Sequence, residues 1–122
     1  MTAPRVVLVL VAVLALVLPA AAQDAAFGTW QLTTVSPEGE FSSVVEIRKE
    51  GETLVMVGKG QNGERRFDSV SVAGDKIAFS VTIQYNGSPM VLAYHGDIKG
   101  STMEGGVDFG GLASGSFSAT KK

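Results

Sequence analysis

The side chains able to do chemistry are few and scattered. His95 is the single histidine and there is no cysteine, so the Cys/His sets that usually hold zinc cannot be assembled. Asp97 follows two residues later, on the same face if the stretch is a strand, and a carboxylate there could orient the imidazole as a general base. Such a base also needs a nucleophile or acid within reach, and no such residue is indicated; an outward-facing pair on a solvated strand accounts for the same letters. Gly58-Lys59-Gly60-Gln61-Asn62-Gly63 spells G-x-G-x-x-G, but Glu64-Arg65-Arg66-Phe67 continues it as a strand, without the helix N-terminus that holds a pyrophosphate. It reads as a hairpin. There is no G-x-S-x-G elbow for a nucleophilic serine. Arg65-Arg66, flanked by Glu64 and Asp68, fits local ion pairing better than anion binding, and Asn86-Gly87-Ser88 fits a turn better than a glycosylation acceptor. The acidic residues lack calcium-loop spacing. The expectation is a protein that is not an enzyme and has no metal and no cofactor.

The elements that would position these residues are legible from turn signals. Pro37-Glu38-Gly39, Glu50-Gly51, Asn62-Gly63, Gly74-Asp75, Asn86-Gly87, Gly100-Ser101 and Gly110-Gly111 separate runs of alternating apolar and polar residues. The runs predict strands at Phe27 to Val35, Phe41 to Lys49, Thr53 to Gly60, Arg65 to Val72, Lys76 to Tyr85, Met90 to Ile98, Thr102 to Phe109 and Leu112 to Thr120. The fifth has the cleanest period of two, with Ile77, Phe79, Val81, Ile83 and Tyr85 on one face. The third, fourth and sixth carry apolar residues on both faces, which leaves their register open. The fold expected is all-β, a single eight-stranded antiparallel up-and-down meander closed into a barrel.

The N-terminus is expected to be a leader. Arg5 precedes an apolar run from Val6 to Leu18, shorter than the roughly 18 residues that span a bilayer, and Ala20-x-Ala22 suits a signal peptidase. Residues 1–22 read as a signal peptide cleaved after Ala22, and 23–122 as one domain that is secreted or periplasmic. Without Arg5 the ten basic residues become nine against twelve acidic, a charge of −3, so neither nucleic acid nor, after cleavage, a membrane is an expected partner.

Gly28-Thr29-Trp30 at the start of the first strand resembles the G-x-W signature of lipocalin- and avidin-type barrels. With Pro37-Glu38-Gly39 and Gly74-Asp75-Lys76-Ile77-Ala78-Phe79, the chain is similar to short calycin-type domains found alone or appended to exported bacterial hydrolases. The resemblance implies that Trp30 plugs one end of the barrel and that Lys121, by position, packs across it. The lipocalin Thr-Asp-Tyr motif, C-terminal helix and disulfide are lacking, as is the tryptophan cage of avidins, so the resemblance speaks to fold rather than ligand.

In an up-and-down meander Pro37 to Glu40, Gln61 to Glu64, Asn86 to Pro89 and Gly110-Gly111 share one rim. The opposite half would be filled by Trp30, Leu32, Ile47, Ile77, Phe79, Met103 and Phe117. Beneath the rim, Thr34, Ser43, Ala113 and Gly115, with Gly58 and Gly105 if their strands keep register, would leave space under a ring of Phe41, Tyr85, Met90 and Phe109. That describes a shallow cup for a small apolar molecule, unless the four large side chains fold inward and cap it. The function expected is a non-catalytic binding module. The alternative is a module for an exported protein partner, either a barrel like those that inhibit proteases or an accessory domain docking on an enzyme through an outer strip of Val44, Val55, Val57 and Val91.

Overall fold

The computed structural model describes residues 25–60 and 63–122; the predicted leader, its cleavage site, and Gln61 and Asn62 lie outside them. A helical turn ends at Ala26. Nine strands follow: β1 (Gly28–Ser36), β2 (Gly39–Glu50), β3 (Thr53–Gly60), β4 (Gly63–Arg66), β5 (Ser69–Ala73), β6 (Lys76–Tyr85), β7 (Ser88–Lys99), β8 (Thr102–Phe109) and β9 (Ala113–Lys121). All pair antiparallel in one sheet of order β4-β3-β2-β1-β9-β8-β7-β6-β5. Tight turns do the joining: at Asn86-Gly87 both residues have positive φ, 53° and 82°, which lets two residues reverse the chain with the right-handed twist of the strands.

The first and last strands pair, with Leu32 opposite Ala119 and Thr34 opposite Phe117. The expectation of eight strands in a closed barrel is nevertheless corrected: there are nine, and the sheet curls into a half-barrel whose ladder does not close. The break falls in mid-chain, inside the stretch predicted as one strand from Arg65 to Val72. Phe67 and the pair Val70 and Val72 have opposite parity, so an unbroken strand could turn only one set inward. All three pack against the core, which requires a phase shift between them. The chain makes that shift by changing edges: the Phe67 amide donates to the Met56 carbonyl of β3 at 2.9 Å, and the Asp68 amide donates to the Ser80 carbonyl of β6 at 2.9 Å.

The core runs from the end nearest the termini up to Leu92 and Phe109. Trp30, Ile47, Ile77, Phe79, Met103 and Phe117 are all buried there. Phe79 stacks on Tyr94 with ring centres 4.6 Å apart, and Phe117 meets both rings edge-on. The registers left open resolve as Leu54 and Met56 inward on β3 and Leu92, Tyr94 and Ile98 inward on β7. Gly96 of β7 and Gly105 of β8 face each other so closely that a Cβ on Gly105 would stand 2.1 Å from the His95 carbonyl, so the close approach there depends on both lacking side chains.

Candidate functional site

The end away from the termini is built by strand ends and turns. Phe41 lies near the start of β2, Tyr85 ends β6, Met90 lies near the start of β7, Phe109 ends β8 and Ala113 begins β9. These five line a pocket of about 250 Å³, together with Ile83, Leu92, Leu112 and the turn residues Ser36, Pro37 and Glu38. Phe109 is 8% exposed while Phe41 and Tyr85 stand 48% and 37% exposed, so the ring is half folded inward and a cavity remains between its members.

Thr34, Ser43 and Gly115, also expected beneath the ring, are not part of this lining. Thr34 is buried deeper, its hydroxyl 3.0 Å from that of Tyr94. Ser43 faces a second opening of about 400 Å³ at the break in the sheet, shared with Gly58, Arg65, Phe67 and Tyr94. Gly115 has no free space beside it, because a Cβ there would lie 2.0 Å from the Val35 carbonyl and 3.0 Å from the Phe109 ring.

Six lining residues, Ser36, Pro37, Glu38, Ile83, Leu92 and Leu112, were not among those expected in the cup. Glu38 is held in a two-residue turn, its amide donating to Ser36 Oγ at 3.2 Å while that hydroxyl donates to the Gly39 carbonyl at 3.0 Å. Across the mouth the Tyr85 hydroxyl donates to Glu38 Oε1 at 2.9 Å, and the neighbouring carboxylate pushes the phenol above its ordinary pKa. Leu112, 77% exposed in the β8–β9 turn, forms part of the lip, and Leu92 forms the floor. The available signal was adjacency to the turns: a carboxylate in the first turn and a leucine directly after Gly110-Gly111.

At the opposite end Trp30 is fully buried, and its Nε1 donates to the Ala26 carbonyl at 2.9 Å. Lys121 Nζ lies 5.1 Å from the Trp30 ring centre and donates to the Ala25 carbonyl at 2.9 Å. Tryptophan and lysine together satisfy carbonyls that the helical turn leaves without internal donors.

Elsewhere several charged side chains pair with one another. Asp97 does not orient His95; it pairs with Lys76, which holds its carboxyl below the usual range and raises the lysine. His95 is exposed on the outer face. Among the described residues no group of three or more His, Asp or Glu is placed to hold a metal ion. Arg66 pairs with Glu50 at 2.8 Å and Arg65 donates to the Thr82 carbonyl, so neither uses the neighbouring Glu64 or Asp68. Glu64 lies instead 3.6 Å from Arg48 and 3.8 Å from Lys59. The outer strip of Val44, Val55, Val57 and Val91 does not form. Val55 sits opposite Arg48, and Val57 opposite Glu46 and Arg66; under these paired side chains the two valines are 5% and 2% exposed.

No protein-family model matches the chain, and no curated protein matches it. Among solved structures it is similar to a redesigned β-barrel, with a TM-score of 0.52 and 13% identity over 83% of this chain and 94% of that one. The likeness is one of fold: the chain has a β-barrel fold, an all-β antiparallel meander curled about its core.

Proposed function

We propose that the protein is an exported, non-catalytic binding module of lipocalin-like outline that takes a small apolar molecule in the mouth between Phe41, Tyr85, Met90 and Phe109. One observation carries this reading. The large hydrophobic side chains exposed among the described residues are Val35, Phe41, Tyr85, Val91 and Leu112; Phe41, Tyr85 and Leu112 line this pocket, and Val35 and Val91 stand near it on the strand faces opposite the buried Thr34 and Leu92. Scattered apolar exposure is ordinary, whereas its concentration at one pocketed end is the mark of a binding surface. At about 250 Å³ the pocket falls below the roughly 300–1,000 Å³ of drug-sized sites, which suits a single ring or short chain.

Titration of the isotope-labelled protein with 2-phenylethanol, followed by amide NMR shifts, tests the reading. Saturable shifts at Phe41, Tyr85, Met90, Phe109 and Leu112, with a Kd of about 1 mM or tighter, are expected for so small a ligand. Shifts that do not saturate, or that centre on another face, would overturn it. A second reading, docking of an exported protein on the same rim, is favoured by Val35 and Val91, which stand near the pocket without lining it. Under that reading Val91→Glu abolishes capture of the partner and leaves phenylethanol binding intact.

A further inference from the structure

The mouth pocket carries a single charge. Among the described residues that line it, Glu38 is the one acidic side chain and none is a lysine or arginine. On the outer faces Glu46, Glu50, Glu64 and Glu104 each lie beside a lysine or arginine, whereas among the described residues Glu38, like Glu40 and Glu52, makes no ion pair. Its hydrogen bond from Tyr85 fixes the carboxylate at the pocket edge and uses one acceptor position of roughly four. The rest of the carboxylate remains able to accept.

Two further carboxylates lie near this rim, and the cations of Lys59 and Arg65 line the neighbouring opening. Glu40 lies two residues on, and Asp108 caps the adjoining β8–β9 turn by accepting from the Gly111 amide at 3.2 Å. The guanidinium of Arg65, at the neighbouring opening, is committed to the Thr82 carbonyl. Inside the pocket the partners are π faces and a polarisable thioether, from Phe41, Tyr85, Phe109 and Met90. A carboxylate beside aromatic faces attracts a cation twice over, through its charge and through the ring quadrupoles, and it repels an anion.

We propose that the mouth selects small organic monocations: a primary amine or quaternary ammonium bearing one ring or a short chain. The ammonium would meet Glu38 and the face of Tyr85, and the apolar part would pack on Phe109, Ile83 and Leu92. The inference rests on the small-ligand reading above and adds charge selectivity to it.

Three probes of matched shape test it: 2-phenylethylammonium, 2-phenylethanol and phenylacetate, each titrated at neutral pH against the wild-type chain and against Glu38→Gln. The wild-type protein is expected to bind the ammonium about tenfold more tightly than the alcohol, and phenylacetate most weakly. Glu38→Gln is expected to remove that advantage, bringing the ratio of ammonium to alcohol affinity from about ten to about one. Equal affinity for ammonium and alcohol in the wild type would overturn the charge selectivity and leave the small-ligand reading standing. Absence of binding by all three would overturn both. Shifts from the ammonium confined to the Glu38 and Glu40 turn, with Phe109 and Leu92 unmoved, would show simple ion pairing and overturn the proposal. Tyr85→Phe, which keeps the carboxylate and frees it from its donor, is expected to retain the preference for the cation.

Discussion

The hydroxyls of Thr34 and Tyr94 lie 3.0 Å apart, joining β1 to β7 through the interior, although β9 and β8 separate those strands in the sheet. Thr34 is 1% exposed and Tyr94 4%, so neither hydroxyl can turn to water. Each satisfies the other, and the bond lies inside the packed core. A buried polar pair of this kind costs little while whole and much when halved.

Removing one partner is therefore expected to cost more than removing both. Thr34→Val should destabilise by about 1–3 kcal/mol, because it leaves the Tyr94 hydroxyl buried without a partner. Thr34→Val with Tyr94→Phe should cost less than the sum of the single changes in urea unfolding. Strict additivity would show that the two hydroxyls are not coupled.

The glycines divide by what surrounds them. A Cβ on Gly115 would meet the Val35 carbonyl at 2.0 Å, whereas one on Gly60 has nothing nearer than 3.9 Å among the described residues. Gly115→Ala is expected to cost about 1–3 kcal/mol through forced movement of β1 from β9. Gly60→Ala should be neutral or mildly stabilising, by up to about 1 kcal/mol, because it restricts the unfolded chain without strain. Thermal unfolding of the two variants checks the contrast; equal effects would refute the close approach.

How far the chain could be read without coordinates depended on whether one local rule sufficed. β6 was legible because Ile77, Phe79 and Val81 alternate without interruption, and the turns were legible because Asn86-Gly87 and Gly110-Gly111 have few other uses. The break at Phe67 was not, since it arises from a parity conflict with Val70 and Val72 that resolves only when β3 and β6 are both present to receive the chain. Tyr94 stayed hidden in a run with apolar residues on both faces, and with it the partner that draws Thr34 away from the mouth. Phe41, Tyr85, Met90, Phe109 and Ala113 could be assigned to one pocket because strand parity and turn order place them there. Turn order placed Glu38 on the same rim, but its bond from Tyr85, spanning 47 residues, leaves no local trace.

Alkaline titration should show both tyrosines, the only two in the chain, ionising above the ordinary phenol range, since burial raises Tyr94 and the Glu38 carboxylate raises Tyr85. A raised folded-state pKa means tighter proton binding in the native state. The associated stability is whole below the unfolded value near pH 10 and is lost as pH rises through the folded value. Tyr94→Phe should accordingly flatten the fall of stability with pH above about 10. Glu38→Gln should return one tyrosinate step to the ordinary range and leave the other in place. Two steps at the ordinary value in the wild type would contradict both environments.

The break in the sheet should be where the shell opens first. β4 is four residues long and exposed throughout, and it pairs with β3 alone. β5 pairs with β6 alone, reaching no further along it than Ser80, so the stretch of β6 from Val81 to Tyr85 has a strand on one side only. β1 lies between β2 and β9 over its buried residues and carries Trp30 into the core. Local opening follows the density of such contacts. In native-state hydrogen exchange the ladder amides of β4 and β5 are expected to exchange at least about a hundredfold faster than those of β1, β8 and β9. Substituting Phe67 by alanine removes the ring that meets Phe79 edge-on with centres 5.8 Å apart, and it should widen the difference by freeing the crossing segment. Protection of β4 equal to that of β1 would mean that the break is held as firmly as the ladder, and that the mouth sits on a rigid shell rather than on one able to spread around a ligand.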